Sequence, residues 1–446
     1  SIDLFFIYCY YIFCMFKGVR MKSIYKIKYI FIILVIIIGI FFIPNNYSLA
    51  SSCPTVNSEA AILMDAKQGK ILYEKNSNKV MYPASTTKVM TAILTVENCD
   101  LNANVTVSYW SVNSVPYSYS IGYIQPGQIY TVEELLNITL IASANDAAFV
   151  LAEYIANLDN ENYVFSIDSS NKDAFDNIIA KFADMMNEKA KEIGCQNTHF
   201  VNPNGIHNEN HYSTAYDLAL IGKYSYENNI IKSIVSKQSY NLPKNSNYPL
   251  YNTTNALLKS SNKYYYEFAN GFKTGYTDAA GYCIIATASK DGIDLICVIL
   301  KGEYLADGTA TRESDCINLF KYGFENYKSV KLLNEGDIVR TISVLNGTDD
   351  TKSLDIKAAS NLNCVVFTDE VVDVTPVIQI NNILAPIAQG QVVGSITYTI
   401  DGVDYKSDLI ATHDVYSSNV MNVILALFVI FAVLLVIVTV ISIKKK

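Results

Sequence analysis

The sequence predicts an α+β fold: an antiparallel sheet drawn from both ends of one domain, with a helical region inserted between them. A small all-β domain and an apolar C-terminal helix follow. Three observations predict it. Strand-like runs open and close the segment 55–327, while helical periodicity fills its middle. From about Ser329 the chain turns to short Val/Ile-rich runs broken by Asn, Asp and Gly. Val423–Ile443 is almost wholly apolar.

In order along the chain, Ala60–Asp65 and Ile71–Glu74 read as two strands, and Ala66-Lys67-Gln68-Gly69 between them reads as a hairpin turn. From Ser85 the pattern changes. Val89, Met90, Ile93, Leu94 and Val96 recur with helical spacing and predict a buried helix. Thr131–Leu140, Ala144–Leu158 and Asp173–Ile193 read as further helices. Gly271–Thr274, Tyr282–Ser289 and Ile293–Lys301 then form a strand meander, which a helix over Thr309–Tyr327 covers. Ile338–Arg340, Cys364–Phe367, Val371–Val374 and Gln391–Thr399 predict the strands of the all-β domain, residues 328–415.

The two ends predict a topology. Met21–Ala50 has a basic start (Lys22, Lys26, Lys28), an apolar centre and the small-x-small pattern Ser48-Leu49-Ala50, so it reads as a secretory signal with residues 1–20 as an upstream extension. Residues 420–443, followed by lysines 444–446, read as a transmembrane anchor, since roughly 20 apolar residues span a bilayer and trailing lysines favour the cytoplasmic side. The body between would be exported and held at the outer face of the cytoplasmic membrane. It carries 26 Lys+Arg against 41 Asp+Glu, which argues against nucleic acid as a partner. The cysteines from Cys53 onward are odd in number and unclustered, so neither a disulfide framework nor a metal knuckle is expected.

Three short motifs carry chemistry. Ser85-Thr86-Thr87-Lys88 places Ser85 and Lys88 on one face of a helix start. A buried lysine there can lose its proton and serve the serine as general base. The spacing alone is common, recurring at Ser169–Lys172 and Ser260–Lys263, but only Ser85 opens a strongly apolar helix. Ser143-Ala144-Asn145 offers a second hydroxyl to relay a proton and an amide to bind a peptide group; taken alone it also reads as a helix cap. Lys273-Thr274-Gly275 occurs once, on a strand. Lys273 and Thr274 can grip a carboxylate, and Gly275 lets another backbone approach. A substrate ending in a free carboxylate is the natural reading. No cofactor and no metal is called for, although His207 and His211 have the spacing of a helical metal pair; their Asn/Gly/Pro-rich surroundings read as a loop.

The order Ser-x-x-Lys, Ser-x-Asn, Lys-Thr-Gly resembles that of penicillin-binding proteins and class A β-lactamases. Pro83-Ala84-Ser85-Thr86-Thr87-Lys88, Tyr130–Leu136, Ser143–Ala148, Phe200–Gly205, Asn252–Asn255 and Lys273–Thr277 together resemble the low-molecular-mass penicillin-binding proteins of the D-alanyl-D-alanine carboxypeptidase family. The resemblance implies a β-lactamase/transpeptidase-like catalytic domain over residues 55–327. It implies a serine peptidase that removes the terminal D-alanine from peptidoglycan stem peptides through an acyl-enzyme on Ser85, and that β-lactams acylate. Lys88, Ser143 and Asn145 would complete the catalytic set, and the backbone N–H groups of Ser85 and Tyr276 the oxyanion hole. Two alternatives stand beside it. A class A-like β-lactamase needs a glutamate some 35 residues after the second motif by that family's pattern, and Asn177–Met185 holds none. A non-catalytic membrane-anchored cell-wall binding protein would not need all three motifs intact.

Overall fold

The computed structural model describes residues 53–444 other than 161, 162, 164, 246, 247, 382 and 419, with side chains in the last helix at 426–438 only. The expected signal segment 21–50 and the extension 1–20 lie outside these residues.

The chain opens with the hairpin β1 (Ala60–Asp65) and β2 (Ile71–Lys75). Its turn closes because the Asp65 carboxylate accepts from Gln68 N at 2.7 Å and Gly69 supplies φ +81°. A 3₁₀ turn, Ala84–Thr87, leads into α1 (Lys88–Asn98). The short β3 (Asn104–Thr106), α2 (Tyr109–Asn113) and β4 (Ile129–Thr131) follow. Helix α3 (Val132–Ile141) starts at a capping box. Thr131 Oγ1 accepts from Glu134 N, and the Glu134 carboxylate accepts from Thr131 N. Then come α4 (Asn145–Ala156), α5 (Lys172–Ile193), α6 (Ala215–Tyr226) and α7 (Asn229–Val235). In α5, Phe175, Ile179, Phe182, Met186 and Ala190 form one buried stripe, and Gly194 at φ +101° ends the helix.

A small ladder, β5 (Ser239–Asn241) with β6 (Leu250–Asn252), precedes the meander β7 (Ala269–Thr277), β8 (Gly281–Lys290) and β9 (Ile293–Gly302). Helix α8 (Thr311–Asn326) closes the domain. The central sheet has the order β2-β1-β9-β8-β7, all neighbours antiparallel, so both ends of the domain meet in it and β7 is an edge strand. Both faces of this sheet are covered. Ile62, Met64, Ile285 and Val298 pack under the inserted helices with Val89, Ile93 and Leu218. Leu63, Ile284, Leu295 and Cys297 pack against Leu319 and Phe320 of α8. That double burial is why β1, β8 and β9 read as continuous apolar runs rather than alternating ones.

The all-β domain follows α8 without a linker: β10 (Tyr327–Leu333), β11 (Ile338–Ser343), β12 (Ser353–Ala358), β13 (Leu362–Phe367), β14 (Val377–Ile380), β15 (Val392–Ile400) and β16 (Val403–Ala411). Five strands run in the order β11-β12-β16-β15-β14, and β10 pairs with β13. The expected strand at Val371–Val374 is irregular instead. Val371 is 85% exposed, and Pro376, which has no N–H to give a ladder, stands two residues after Val374. The domain packs onto the first through Val365, which joins the core beneath α8. Buried Lys70 donates to Val365 O at 2.9 Å and pairs with Asp401 at 2.6 Å.

The seven cysteines from Cys53 onward are unpaired. The last element, α9 (Val420–Lys444), forms a helix over the expected anchor. Among the described residues no helix is long and apolar enough to cross a membrane.

Candidate active site

The 3₁₀ turn at the head of α1 sets the geometry. In a 3₁₀ turn residues three apart eclipse each other, so Ser85 and Lys88 stack, with Lys88 Nζ 2.8 Å from Ser85 Oγ. Sequence spacing places this pair on an α-helical start; the tighter turn is what brings the two atoms into contact. Lys88 is fully buried. Its Nζ also donates to Asn145 Oδ1 at 2.8 Å and to Asn204 O at 2.7 Å. Burial is the main force holding its pKa well below the ordinary lysine range; the nearby charge of Lys273 adds to this, and Asp146 opposes it. A neutral amine has two protons and one lone pair. It can keep Asn145 and Asn204 as acceptors and take the Ser85 hydroxyl proton on its free lone pair.

Helix α4 brings the second motif. Ser143 sits at φ +62° just before it, so Ser143 is not its cap; Ala144 holds the cap position without a side-chain bond. Ser143 and Asn145 both line the cleft. Asn145 is held from both ends, its Oδ1 by Lys88 and its Nδ2 and N by Ser120 O at 2.7 and 3.0 Å. Asp146 follows, fully buried. Its Oδ1 accepts from Gly122 N at 2.7 Å and Ala147 N at 2.8 Å, while Oδ2 is buried with no hydrogen-bond partner among the described residues. Burial pushes its pKa up to about 6.

The third motif lies on the edge strand β7. Asn255 Nδ2 donates to Gly271 O at 3.1 Å, and Thr254 Oγ1 accepts from Thr274 Oγ1 at 2.6 Å, so the segment after β6 braces the motif. A Cβ on Gly275 would stand 2.7 Å from Ser85 N. The glycine is thus required for the strand to lie against the nucleophile turn. Lys273 is fully buried beneath the cleft, with Nζ donating to Thr274 O at 2.8 Å. Burial, aided by Arg312, brings its pKa down to about 7.

These elements enclose a cleft of about 450 Å³ lined by Ser85, Ser143 and Asn145 on one side and Thr254, Thr274–Asp278 and Arg312 on the other. Arg312 is the residue that sequence reasoning missed. It comes from the start of α8, is aligned by Nε donating to Glu313 at 2.9 Å, and stacks 5.5 Å from the Tyr282 ring. It is one of three arginines in the chain, and that scarcity was the one available signal. Other omissions include Asp146, the neighbour of the second motif, and the carbonyls of Asn204 and Ser120, backbone groups with no signature in a side-chain pattern.

Residues 48–172 and 178–303 match peptidase family S11, D-alanyl-D-alanine carboxypeptidase. The chain belongs to this family. Residues 327–419 match the C-terminal domain of penicillin-binding protein 5. Among its relatives, the carboxypeptidase is 30% identical to the D-alanyl-D-alanine carboxypeptidase DacF of Bacillus subtilis over 352 residues, 77% of this chain and 82% of that one. It is 25% identical to DacA of Escherichia coli K12 over 80% of this chain and 83% of the other. Among solved structures, it resembles penicillin-binding protein 5 of Haemophilus influenzae at TM-score 0.59 and 27% identity, over 82% of this chain and 99% of that chain. It also resembles a peptidoglycan synthesis regulatory factor, PBP3, of Streptococcus pneumoniae at TM-score 0.66 and 25% identity, over 81% of this chain and all of that one.

The loop His207–His211 holds no metal arrangement: His211 is engaged at both ring nitrogens and His207 packs edge-on against Tyr82. Among the described residues no group of His, Cys, Asp and Glu is placed to hold an ion.

Proposed function

We propose that this protein is a serine D-Ala-D-Ala carboxypeptidase that trims peptidoglycan stem peptides and is acylated by β-lactams. The observation that carries the reading is the 2.8 Å contact between Ser85 Oγ and Lys88 Nζ, a fully buried amine whose pKa burial holds well below the ordinary lysine range. The substrate lies as an extra strand along the open edge of β7. Its terminal carboxylate meets Thr274 and Arg312, with the Lys273 ammonium beneath them. Lys88 takes the Ser85 proton as Oγ attacks the scissile carbonyl. The N–H groups of Ser85 and Tyr276 receive the oxyanion. As the C–N bond breaks, the proton passes through Ser143 to the departing D-alanine amine, while Asn145 holds the substrate's peptide group. Water then gives a proton to Lys88 as it attacks the ester; when the bond from the acyl carbon to Ser85 Oγ breaks, Lys88 returns that proton to Oγ and the shortened peptide leaves with a new terminal carboxyl group.

A class A-like β-lactamase would need a glutamate beside Ser85 for that last step, and none lines the cleft among the described residues. For location, we infer export and attachment to the outer face of the cytoplasmic membrane. The basic–apolar–small segment 21–50 and the apolar run ending in lysines 444–446 support this.

The test of the activity is covalent labelling with a fluorescent penicillin and release of D-alanine from a D-Ala-D-Ala peptide. Both should occur in the wild type and vanish in Ser85→Ala. Labelling that survives the substitution would overturn the assignment.

A further inference from the structure

On the side of the nucleophile turn away from the cleft stands a column of hydrogen bonds that the reaction as described does not use. Val201 N–H donates to His211 Nδ1 at 3.2 Å. His211 Nε2 lies 2.8 Å from Thr87 Oγ1, and Thr87 Oγ1 donates to Ala84 O at 2.8 Å. The proton order along this column is fixed. Nδ1 accepts, so the proton of a neutral ring sits on Nε2 and goes to Thr87, whose own single proton goes to Ala84 O. The ring is 2% exposed, and burial holds its pKa down at about 3, so it is neutral at working pH.

The column ends on an unusual peptide. Ala84 has φ +48°, a conformation that side chains bearing a Cβ avoid. Gly205 lies over the same carbonyl, where a Cβ would stand 1.8 Å from Ala84 O. Ala84 O and Ser85 N–H belong to one planar unit and point in opposite directions. Whatever grips that oxygen from behind therefore aims the N–H in front.

We propose that His211 is a positioning residue for the oxyanion site. Through Thr87 it clamps the Ala84–Ser85 peptide so that Ser85 N–H faces the reacting carbonyl. The inference rests on Ser85 being the nucleophile. His211 touches neither substrate nor reacting atoms, so it supplies no proton to the reaction.

The experiment measures the second-order rate of acylation by a fluorescent penicillin, the pH at which that rate rises, and the melting temperature, in the full-length protein. Removing an oxyanion donor outright costs about 100- to 1,000-fold, so loosening one should cost about tenfold or more. His211→Leu and Thr87→Val should each slow acylation by about that factor. The double variant should be no slower than the slower single one, because both act on one carbonyl. His211→Gln, whose amide carries both an acceptor and a donor, should keep at least a third of the wild-type rate. The pH at which acylation rises should be the same in all, because Lys88 remains the base. Wild-type rates in Thr87→Val, multiplying losses in the double variant, or a Gln variant as slow as the Leu variant would each overturn the proposal. Thr87→Val, nearly isosteric, carries the test if His211→Leu does not fold. Failure of the underlying reading is recognised separately, by labelling that persists in Ser85→Ala.

Discussion

Replacing Asp146 by Asn tests whether a buried carboxylate poises the Lys88 base. The folded protein raises the Asp146 pKa from 3.8 to about 6. It therefore holds that proton more tightly than the unfolded chain does. Between those two values the folded state binds more protons, so stability falls as pH rises through the window. Two units at about 1.4 kcal/mol each give a penalty on the order of 3 kcal/mol once the group is ionised in both states, and most of it develops between pH 4 and pH 7. Asn does not titrate, and its Oδ1 can still accept from Gly122 and Ala147. Urea unfolding at pH 4 and pH 7 should then show the variant gaining roughly 2 kcal/mol on the wild type over that interval. Asp146 also raises the Lys88 pKa. Losing its charge should move the rise of acylation rate with pH to lower values. Parallel stability curves, together with an unmoved acylation profile, would refute the electrostatic argument.

Two further outcomes are expected from the geometry of the site, and a third from the apolar C-terminal sequence. Lys88→Ala should fold and bind penicillin reversibly, yet lose acylation by at least a thousandfold in stopped-flow measurements, since no other described amine touches Ser85 Oγ. Arg312→Leu should lower kcat/KM for D-Ala-D-Ala peptides about ten- to hundredfold, the effect of roughly 1.5–3 kcal/mol for a charge-assisted bond, and far less for a C-terminal amide; Lys273→Ala should show the same selectivity if its buried charge supports the clamp. Deleting residues 420–446 should release an active protein from the membrane fraction on sedimentation, and a truncated form that still sediments would place the anchor elsewhere.

Much of this site was legible because its chemistry demands side chains at set spacings: Ser85 with Lys88, Ser143 with Asn145, and Thr274 with Gly275. What escaped has physical reasons. Arg312 reaches the cleft from the head of α8 because β8 and β9 fold back between it and β7, and a single residue at such separation makes no pattern. Asp146 stood beside a recognised motif, but its burial and its orphaned oxygen belong to the packed state alone. Apolar periodicity marked α1 without telling that its first turn is 3₁₀, because the two helix types share apolar faces over so few residues. In the second domain, β10 pairs with β13 across two intervening strands, a choice made by packing against α8 and invisible in local propensity.

The open edge of β7 has a consequence for solubility. A strand with free N–H and C=O groups is a template on which other chains can grow into aggregates. Here the segment Ser118–Ser120 and the residues Ser143 and Asn145 line the same cleft as Thr274–Thr277 of that edge strand. The wall that confines the substrate also screens the strand from its own copies, so substitutions that open the cleft to bulkier ligands should be watched for self-association as well as for lost selectivity.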